Sequence, residues 1–396
     1  MKILSGLTAL ALLVHGTAAA QTRRSRPSAA PAPIGILIGW VSRDGLRPSE
    51  PDSAATTTDS AFSGLTATRE VTLADGHKVV HVNQTERADP LFSVWIVVSG
   101  GKVTTRLLHH IVVPRKDGFW LLGTNTDSAD LEGSSAEEDF FWAAPFGQRP
   151  AFNAVDSDGV MCSTATTTRD LTYVGPEYLG YAEFREAICA HYGESHGLSV
   201  ESLDAVRAAN LTGLSPDVAD VAVLGPRAAA EHRRLVRAAT RWPNDCGDAG
   251  YAGLTTDWTI RRRPGRWEAV AIFSGSGAGI CGRYSEERVL HAPLPRSVAS
   301  PETPLPVAWK VIKQAFPDAT DATASPDGTL VMVLTPNLAI VTAVDGATLR
   351  VLGAPISVSS GRPVMLEWAR GSQAIQWDEV LSTIPAFNAA AVSPAP

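Results

Sequence analysis

The chain has 396 residues, enough for two or three ordinary domains or for one large β architecture. It is 44% hydrophobic and 19% charged, which is typical of a globular protein and excludes a coiled coil or a disordered chain. Its formal net charge of −7 argues against a nucleic-acid-binding protein, because such proteins usually carry a basic domain or stripe. We therefore expect a mildly acidic globular protein without a nucleic-acid partner.

Residues 1–20 have the pattern of a secretory signal peptide. Lys2 provides a positive start, Ile3–Val14 form an apolar core, and three alanines end at Ala20 before Gln21. About a dozen apolar residues are too few to span a bilayer, and no later segment is long and apolar enough. We therefore expect cleavage before Gln21 and a secreted or periplasmic protein, without a transmembrane segment in the mature chain.

All four cysteines follow this signal, at Cys162, Cys189, Cys246 and Cys281. An even number of cysteines in an exported chain favours two disulfides, and the absence of a CxxC pattern argues against zinc. Cys246 and Cys281 flank the strand-like segments of 257–273, which can return them to one end of a hairpin. We therefore predict that these two are joined, and that Cys162 is joined to Cys189.

The segment after the signal, 21–66, is rich in small and polar residues and is predicted to be a flexible leader and loop. An N-terminal β region is predicted over 67–176, where β-branched and aromatic runs alternate with Asp-Gly and Gly-Gly turns. Its predicted strands are Glu70–Leu73, Lys78–Val82, Phe92–Val98, Lys102–Val113 and Phe119–Leu122.

A helical insert is predicted over 177–245, where Ala, Leu, Glu and Arg recur at helical spacing. Its predicted helices are Glu183–Tyr192, Val200–Asn210 and Arg227–Arg241. The predicted class is therefore mainly antiparallel β with a helical insert, α+β overall.

Strand character returns in the disulfide-tied hairpin region over 246–300, with a turn at Pro264-Gly265. A C-terminal β region with a short helix at Val307–Ala315 is predicted over 301–385, followed by a disordered tail over 386–396. In its last strand, alternation places Val364, Leu366 and Trp368 on one face, which we expect to pack on the strands of 329–352 with Trp377 close by.

The segment 324–352 contains an Ser-Pro-Asp-Gly turn at 325–328, the run TLVMVL and a second hairpin. This segment resembles a blade of the WD40-like, TolB-type β-propeller family, in which such a turn leads into an inner strand. Asp-Gly turns at Gly76, Gly118 and Gly159 also recur at spacings of 42 and 41 residues, as four-stranded blades would. An irregular β-propeller is therefore the alternative fold.

Three local patterns resemble functional motifs, and each has a simpler structural interpretation. Gly277–Gly282 has GxGxxG spacing, but the acid at the required distance, Glu302, lies in a proline-rich joint, which favours a hairpin tip. Glu137–Asp139 and Phe140–Trp142 combine carboxylates with aromatic rings, as a carbohydrate site would, although a solvated rim beside buried rings is favoured. Asn153–Gly159 matches part of a calcium loop but lacks its closing glutamate.

The histidines give no metal site by their spacing. Six of the nine occur in pairs: His77 with His81, His109 with His110, and His191 with His196. His77 and His81 would share one face of a strand, but no carboxylate or third histidine follows them at ligand spacing.

The motif HExxH and the combination of SxxK with KTG are absent from the sequence. We therefore expect a non-catalytic binding or assembly protein of a bacterial envelope, with a protein or carbohydrate partner and no cofactor. The alternative is a secreted hydrolase acting on a polysaccharide or peptide, because a catalytic triad needs no fixed sequence spacing.

Overall fold

A computed structural model describes eleven segments of the chain, all within one compact unit, 32–396. These segments are 32–42, 68–72, 78–82, 91–131, 134–148, 164–188, 192–207, 223–239, 251–277, 283–358 and 361–384. They fold mainly into antiparallel β-strands, which confirms the predicted class at that level. None of the helices in these segments is both long and apolar enough to cross a bilayer.

The first sheet has four strands in the order β20-β1-β4-β5. They are β1 Ile34–Ser42, β4 Leu91–Ser99, β5 Lys102–His109 and β20 Gly361–Arg370.

Strand β1 corrects the prediction of a flexible leader and loop over 21–66. Residues 35–42 are buried in the middle of the first sheet, since β1 pairs with β20 on one side and β4 on the other. A strand buried on both faces is a continuous apolar run without the alternation that marks a half-exposed strand. Gly35 is required there, because a Cβ on it would lie 2.1 Å from the Trp95 ring.

A β-bulge on β20 changes which side chains share a face. Consecutive residues of β1 pair with Met365 and Pro363, so Val364 is an extra residue that interrupts the alternation. Leu366 and Trp368 pack on the C-terminal strands, as predicted, whereas Val364 packs on the opposite face of the sheet. The prediction for Val364 is therefore wrong, because alternation was assumed to continue through the bulge.

The C-terminal helix covers that opposite face. It spans Ser372–Leu381, and its Trp377 ring lies 5.8 Å from the Trp95 ring and 5.5 Å from the Phe119 ring, centroid to centroid. Trp377 therefore lies across the sheet from Trp368, and the prediction that the two pack together is wrong.

The second sheet has eight strands in the order β11-β10-β9-β8-β7-β3-β2, with β6 paired to β7. All its pairs are antiparallel except β8 with β9. Its strands are β2 Thr68–Thr72, β3 Lys78–Val82, β6 Ile111–Arg115, β7 Gly118–Leu131, β8 Ser134–Pro145, β9 Thr164–Val174, β10 Tyr178–Ile188 and β11 Tyr192–Ser202.

Most of the predicted helical insert is β structure. The predicted helix Glu183–Tyr192 is wrong, because its described residues belong to β10 and the first position of β11. The predicted helix Val200–Asn210 is described only to residue 207 and begins at Leu203, giving α1 Leu203–Arg207. Cross-strand pairing with β9 outweighs the helical propensity of Ala, Glu and Arg in β10.

The last predicted helix of the insert is confirmed as α2 Gly225–Ala239. It packs on the third sheet, which has the order β12-β13-β14. The strands of this sheet are β12 Tyr251–Arg263, β13 Arg266–Gly277 and β14 Arg283–Leu290. The predicted turn at Pro264-Gly265 is confirmed, and Gly265 adopts a φ of 83°, which a residue with a Cβ rarely takes.

The C-terminal strands form the fourth sheet, preceded by the predicted short helix, α3 Trp309–Ala315. Its strands are β15 Asp321–Ala324, β16 Leu330–Leu334, β17 Leu338–Asp345, β18 Thr348–Val351 and β19 Ile356–Ser357. Strands β15 to β18 form a meander in chain order, with β19 beside β17. The C-terminal helix Ser372–Leu381, which follows β20, is α4.

The Ser-Pro-Asp-Gly turn joins β15 to β16. The Ser325 hydroxyl donates to Asp327 Oδ1 at 2.6 Å, and the same oxygen accepts from the Thr329 backbone N–H at 3.1 Å. The described sheets have four, eight, three and five strands, whereas propeller blades are four-stranded and equal. The propeller alternative is therefore not confirmed.

We expect non-reducing peptide mapping to join Cys246 to Cys281 and Cys162 to Cys189. All four residues lie outside the described segments, but the register pairs the first residue of β12 with the last residue of β13. The chain segments that carry Cys246 and Cys281 therefore start from neighbouring positions, as a bridge requires. A peptide that joined Cys162 to Cys246 would contradict this assignment.

Candidate functional site

The outer face of the third sheet carries charged side chains at the tip of the β12–β13 hairpin. In the register, Arg263 pairs with Arg266 and Arg261 pairs with Glu268, so these four residues share one face. Arg262 lies between two of them in the chain and therefore belongs to the opposite, inner face.

Arg262 attaches the hairpin tip to the fourth sheet. Its guanidinium donates to Asp321 Oδ2 at 2.6 Å and pairs with Glu302, and it lies 5.1 Å from the Trp267 ring centroid. Asp321 also accepts from the Gly265 backbone N–H at 2.8 Å. Burial raises the pKa of Asp321, and the Arg262 charge partly offsets this. The tip is therefore held by charged hydrogen bonds on its inner side, whereas Arg263 and Arg266 on the outer side are 49% and 69% exposed.

Two glutamates hold the arginines of the outer face in place. Glu268, whose side chain is only 9% exposed, pairs with Arg266 through one oxygen and lies 3.6 Å from Arg263 Nε through the other. Glu287 on β14 accepts from Arg263 at 2.8 Å and also pairs with Arg261. Each guanidinium is therefore positioned by at least one carboxylate of β13 or β14.

Two of these arginines and Glu268 border a depression of about 360 Å³. It is lined by Arg263, Pro264, Arg266, Glu268, Val289 and His291. The lining combines two guanidinium groups with one nearly buried carboxylate and a small apolar wall. Chemically, such a surface can bind an anionic group by charge-assisted hydrogen bonds.

A second charged cluster lies inside the second sheet. Glu201 is 1% exposed, and neither of its carboxyl oxygens has a hydrogen-bond partner among the described residues. Arg169 on β9 donates instead to Glu183 on β10, at 2.9 Å. Burial raises the pKa of Glu201 to about 7, although the Arg169 charge opposes this shift and the Glu183 charge adds to it.

A partly buried carboxyl lies at the junction of β20 with the second sheet. Glu367 accepts a hydrogen bond of 2.6 Å from the Ser300 hydroxyl, and burial raises its pKa to about 7. Its charge also contributes to the raised pKa of Tyr173, a residue that is 1% exposed and whose hydroxyl has no partner among the described residues. Tyr173 and Glu201 lie in the interior, so neither offers a surface to a ligand.

The patterns singled out in the sequence do not form a site within the described residues. The four cysteines, the glycines after Gly277 and the calcium-like segment 153–159 all lie outside them. The same holds for His77 and His191, and for the side chains of His81 and His196.

The acidic and aromatic segment is part of β8 rather than a loop rim. Its three rings are buried, at no more than 8% exposure, with Phe141 packed 5.5 Å from the Tyr181 ring and Trp142 packed 4.8 Å from the His110 ring. These rings are therefore core residues, as the structural interpretation of this segment expected. In the described part of the chain, no group of three or more His, Cys, Asp or Glu residues is placed to hold a metal ion.

No family model, curated protein or solved structure matches this chain. The function of the candidate site can therefore be inferred only from the geometry of its residues.

None of the sequence motifs described above includes the arginines of the depression. A signal was present, since Arg261–Arg263 and Arg266 bracket the Pro-Gly turn and strand alternation separates Arg262 from the other three. What alternation leaves undecided is which face is covered, and this depends on packing against the fourth sheet.

Proposed function

We propose that this chain is an exported, non-catalytic binding or assembly protein of a bacterial envelope that contacts its partner through the depression on the third sheet. The observation that carries the proposal is the asymmetry of this sheet. Its inner face contributes Trp258, Ile260 and Phe273 to a buried cluster, whereas its outer face near the hairpin tip exposes paired charges around a concavity. A concave surface with a few convergent polar groups is the usual form of a binding site.

The test is co-sedimentation of the mature protein with isolated envelope fractions of a Gram-negative bacterium. Val289 lines the depression, so Val289→Phe should obstruct it while keeping a residue that strands tolerate. We expect the bound fraction to fall at least about fivefold, as for the loss of about 1 kcal/mol or more of binding free energy.

The matched control is Val351→Phe, the same substitution at a valine that is 42% exposed on β18. This variant should sediment like the unaltered protein. Absence of sedimentation by the unaltered protein, or equal binding by both variants, would contradict the proposal.

One observation favours the alternative of a hydrolase. Burial raises the pKa values of Glu201 and Glu367 to about 7, which is the range of a general acid that works near neutral pH. Both carboxyls lie away from the depression, so this function would need a separate route for the substrate. Release of soluble fragments from the same envelope fractions, lost in Glu201→Gln or Glu367→Gln, would support the hydrolase and contradict a purely binding role.

A further inference from the structure

The two arginines at the hairpin tip form an unusual cross-strand pair. Arg263 and Arg266 are direct partners in the register of β12 and β13. Like charges directly opposite each other destabilise a β-ladder unless a counter-charge lies between them. Glu268 supplies that counter-charge, because its two oxygens approach the two guanidinium groups separately.

The arrangement leaves hydrogen-bond donors for a ligand. A guanidinium has five N–H donors, and the carboxylate contacts of these arginines use only some of them. The Arg266 side chain is 69% exposed and the Arg263 side chain 49% exposed, whereas that of Glu268 is 9% exposed. The Glu268 carboxylate is therefore largely withdrawn from solvent, and the two guanidinium groups are the exposed charges of the lining.

The remaining wall suits a small ring rather than a bare ion. Pro264 and Val289 provide apolar surface, and His291 provides a polar aromatic edge. The volume of about 360 Å³ is at the low end of the range for ligand-binding pockets. It is large enough for one sugar residue.

We propose that the depression binds an acidic sugar, with the anionic group at the exposed N–H donors of Arg263 and Arg266 and the ring against Pro264 and Val289. A carboxylate and a phosphate are both recognised by paired guanidinium groups, so a uronic acid and a sugar phosphate are the two sources of this chemistry. This inference rests on the proposed binding function and names the ligand class of the same site.

The experiment is a calorimetric titration of the mature, full-length protein. Three sugars are titrated separately at the same ionic strength. Glucuronate carries the carboxylate, glucose 6-phosphate carries the phosphate, and glucose is the neutral control. We expect one or both acidic sugars to bind at least about tenfold more tightly than glucose, as for a charge-assisted hydrogen bond.

The variants Arg263→Gln and Arg266→Gln each remove one guanidinium from the depression. We expect either change to weaken the preferred acidic sugar by about tenfold. The matched control is Arg350→Gln, an exposed arginine on β18 that does not line the depression. This control should change the affinity less than about threefold, since an exposed charge outside the site is screened by salt.

Each outcome separates the ligand class from the general function. Equal losses in all three variants would show a diffuse charge effect and overturn the inference. Absence of binding by both acidic sugars, while the unaltered protein still sediments with envelope fractions, would overturn the inference and leave the proposed function standing. Absence of both kinds of binding would overturn the two together.

Discussion

Replacing Trp95 with alanine is expected to lower the free energy of unfolding by about 3–5 kcal/mol, the range for a large buried aromatic residue. Trp95 is 1% exposed and lies on β4. Its indole N–H donates to Asp378 Oδ1 on α4 at 2.9 Å, and its ring packs on Trp377 of the same helix. The substitution therefore opens a cavity and also removes a hydrogen bond and a ring contact between α4 and the first sheet.

Chemical denaturation followed by far-UV circular dichroism measures this loss. The variant Trp95→Phe keeps an aromatic ring but lacks the indole N–H, so it should lose less stability than Trp95→Ala. Val351→Ala, at an exposed position, should change the free energy of unfolding by less than about 0.5 kcal/mol. A Trp95→Ala protein as stable as this control would show that α4 does not depend on the contact.

The stability of the protein should fall as the pH rises from about 4.5 to 7, in part because of Glu201. Burial raises the pKa of this carboxyl from 4.5 to about 7 in the folded state. Over this interval the folded chain therefore keeps a proton that the unfolded chain has released. The contribution of Glu201 to the free energy of unfolding is largest below pH 4.5, decreases as the pH rises to 7 and is constant above pH 7. Between pH 5 and 8 the loss is about 2 kcal/mol.

The variant Glu201→Gln isolates this effect, because glutamine has nearly the same shape and does not ionise. Free energies of unfolding measured at pH 5 and pH 8 should differ by about 2 kcal/mol less in Glu201→Gln than in the unaltered protein. The matched control is Glu177→Gln, a carboxyl that is 40% exposed at the surface and pairs with Lys116. An unchanged pH dependence in Glu201→Gln would show that Glu201 is ionised in the folded protein at pH 5.

Local sequence signals predicted the hairpins well. The β12–β13 hairpin follows from two β-branched and aromatic runs on either side of Pro264-Gly265, and its turn is where the sequence places it. The strands β3 and β16–β18 follow from the same kind of signal. Such elements are predictable because the residues that determine them lie within a few positions of one another.

Elements that depend on distant partners were not predictable. The segment Glu183–Tyr192 has helical composition, yet β10 forms because β9 and β11 pair with it on both sides. Strand β1 was assigned to a loop, although its partners β4 and β20 hold it at the centre of the first sheet. In both cases tertiary pairing outweighs local propensity.

The sequence by itself determined the β-rich class, the hairpin turns and the alternation that places Arg261, Arg263 and Arg266 on one face. The tertiary structure alone decided that this face is exposed at the hairpin tip, where Arg262 on the other face pairs with Asp321 of the fourth sheet. It also decided which carboxyls are buried, since Glu201 is ordinary in its local sequence and loses its solvent only when the sheets pack. The physical reason is that alternation is a property of one strand, whereas burial depends on what packs against it.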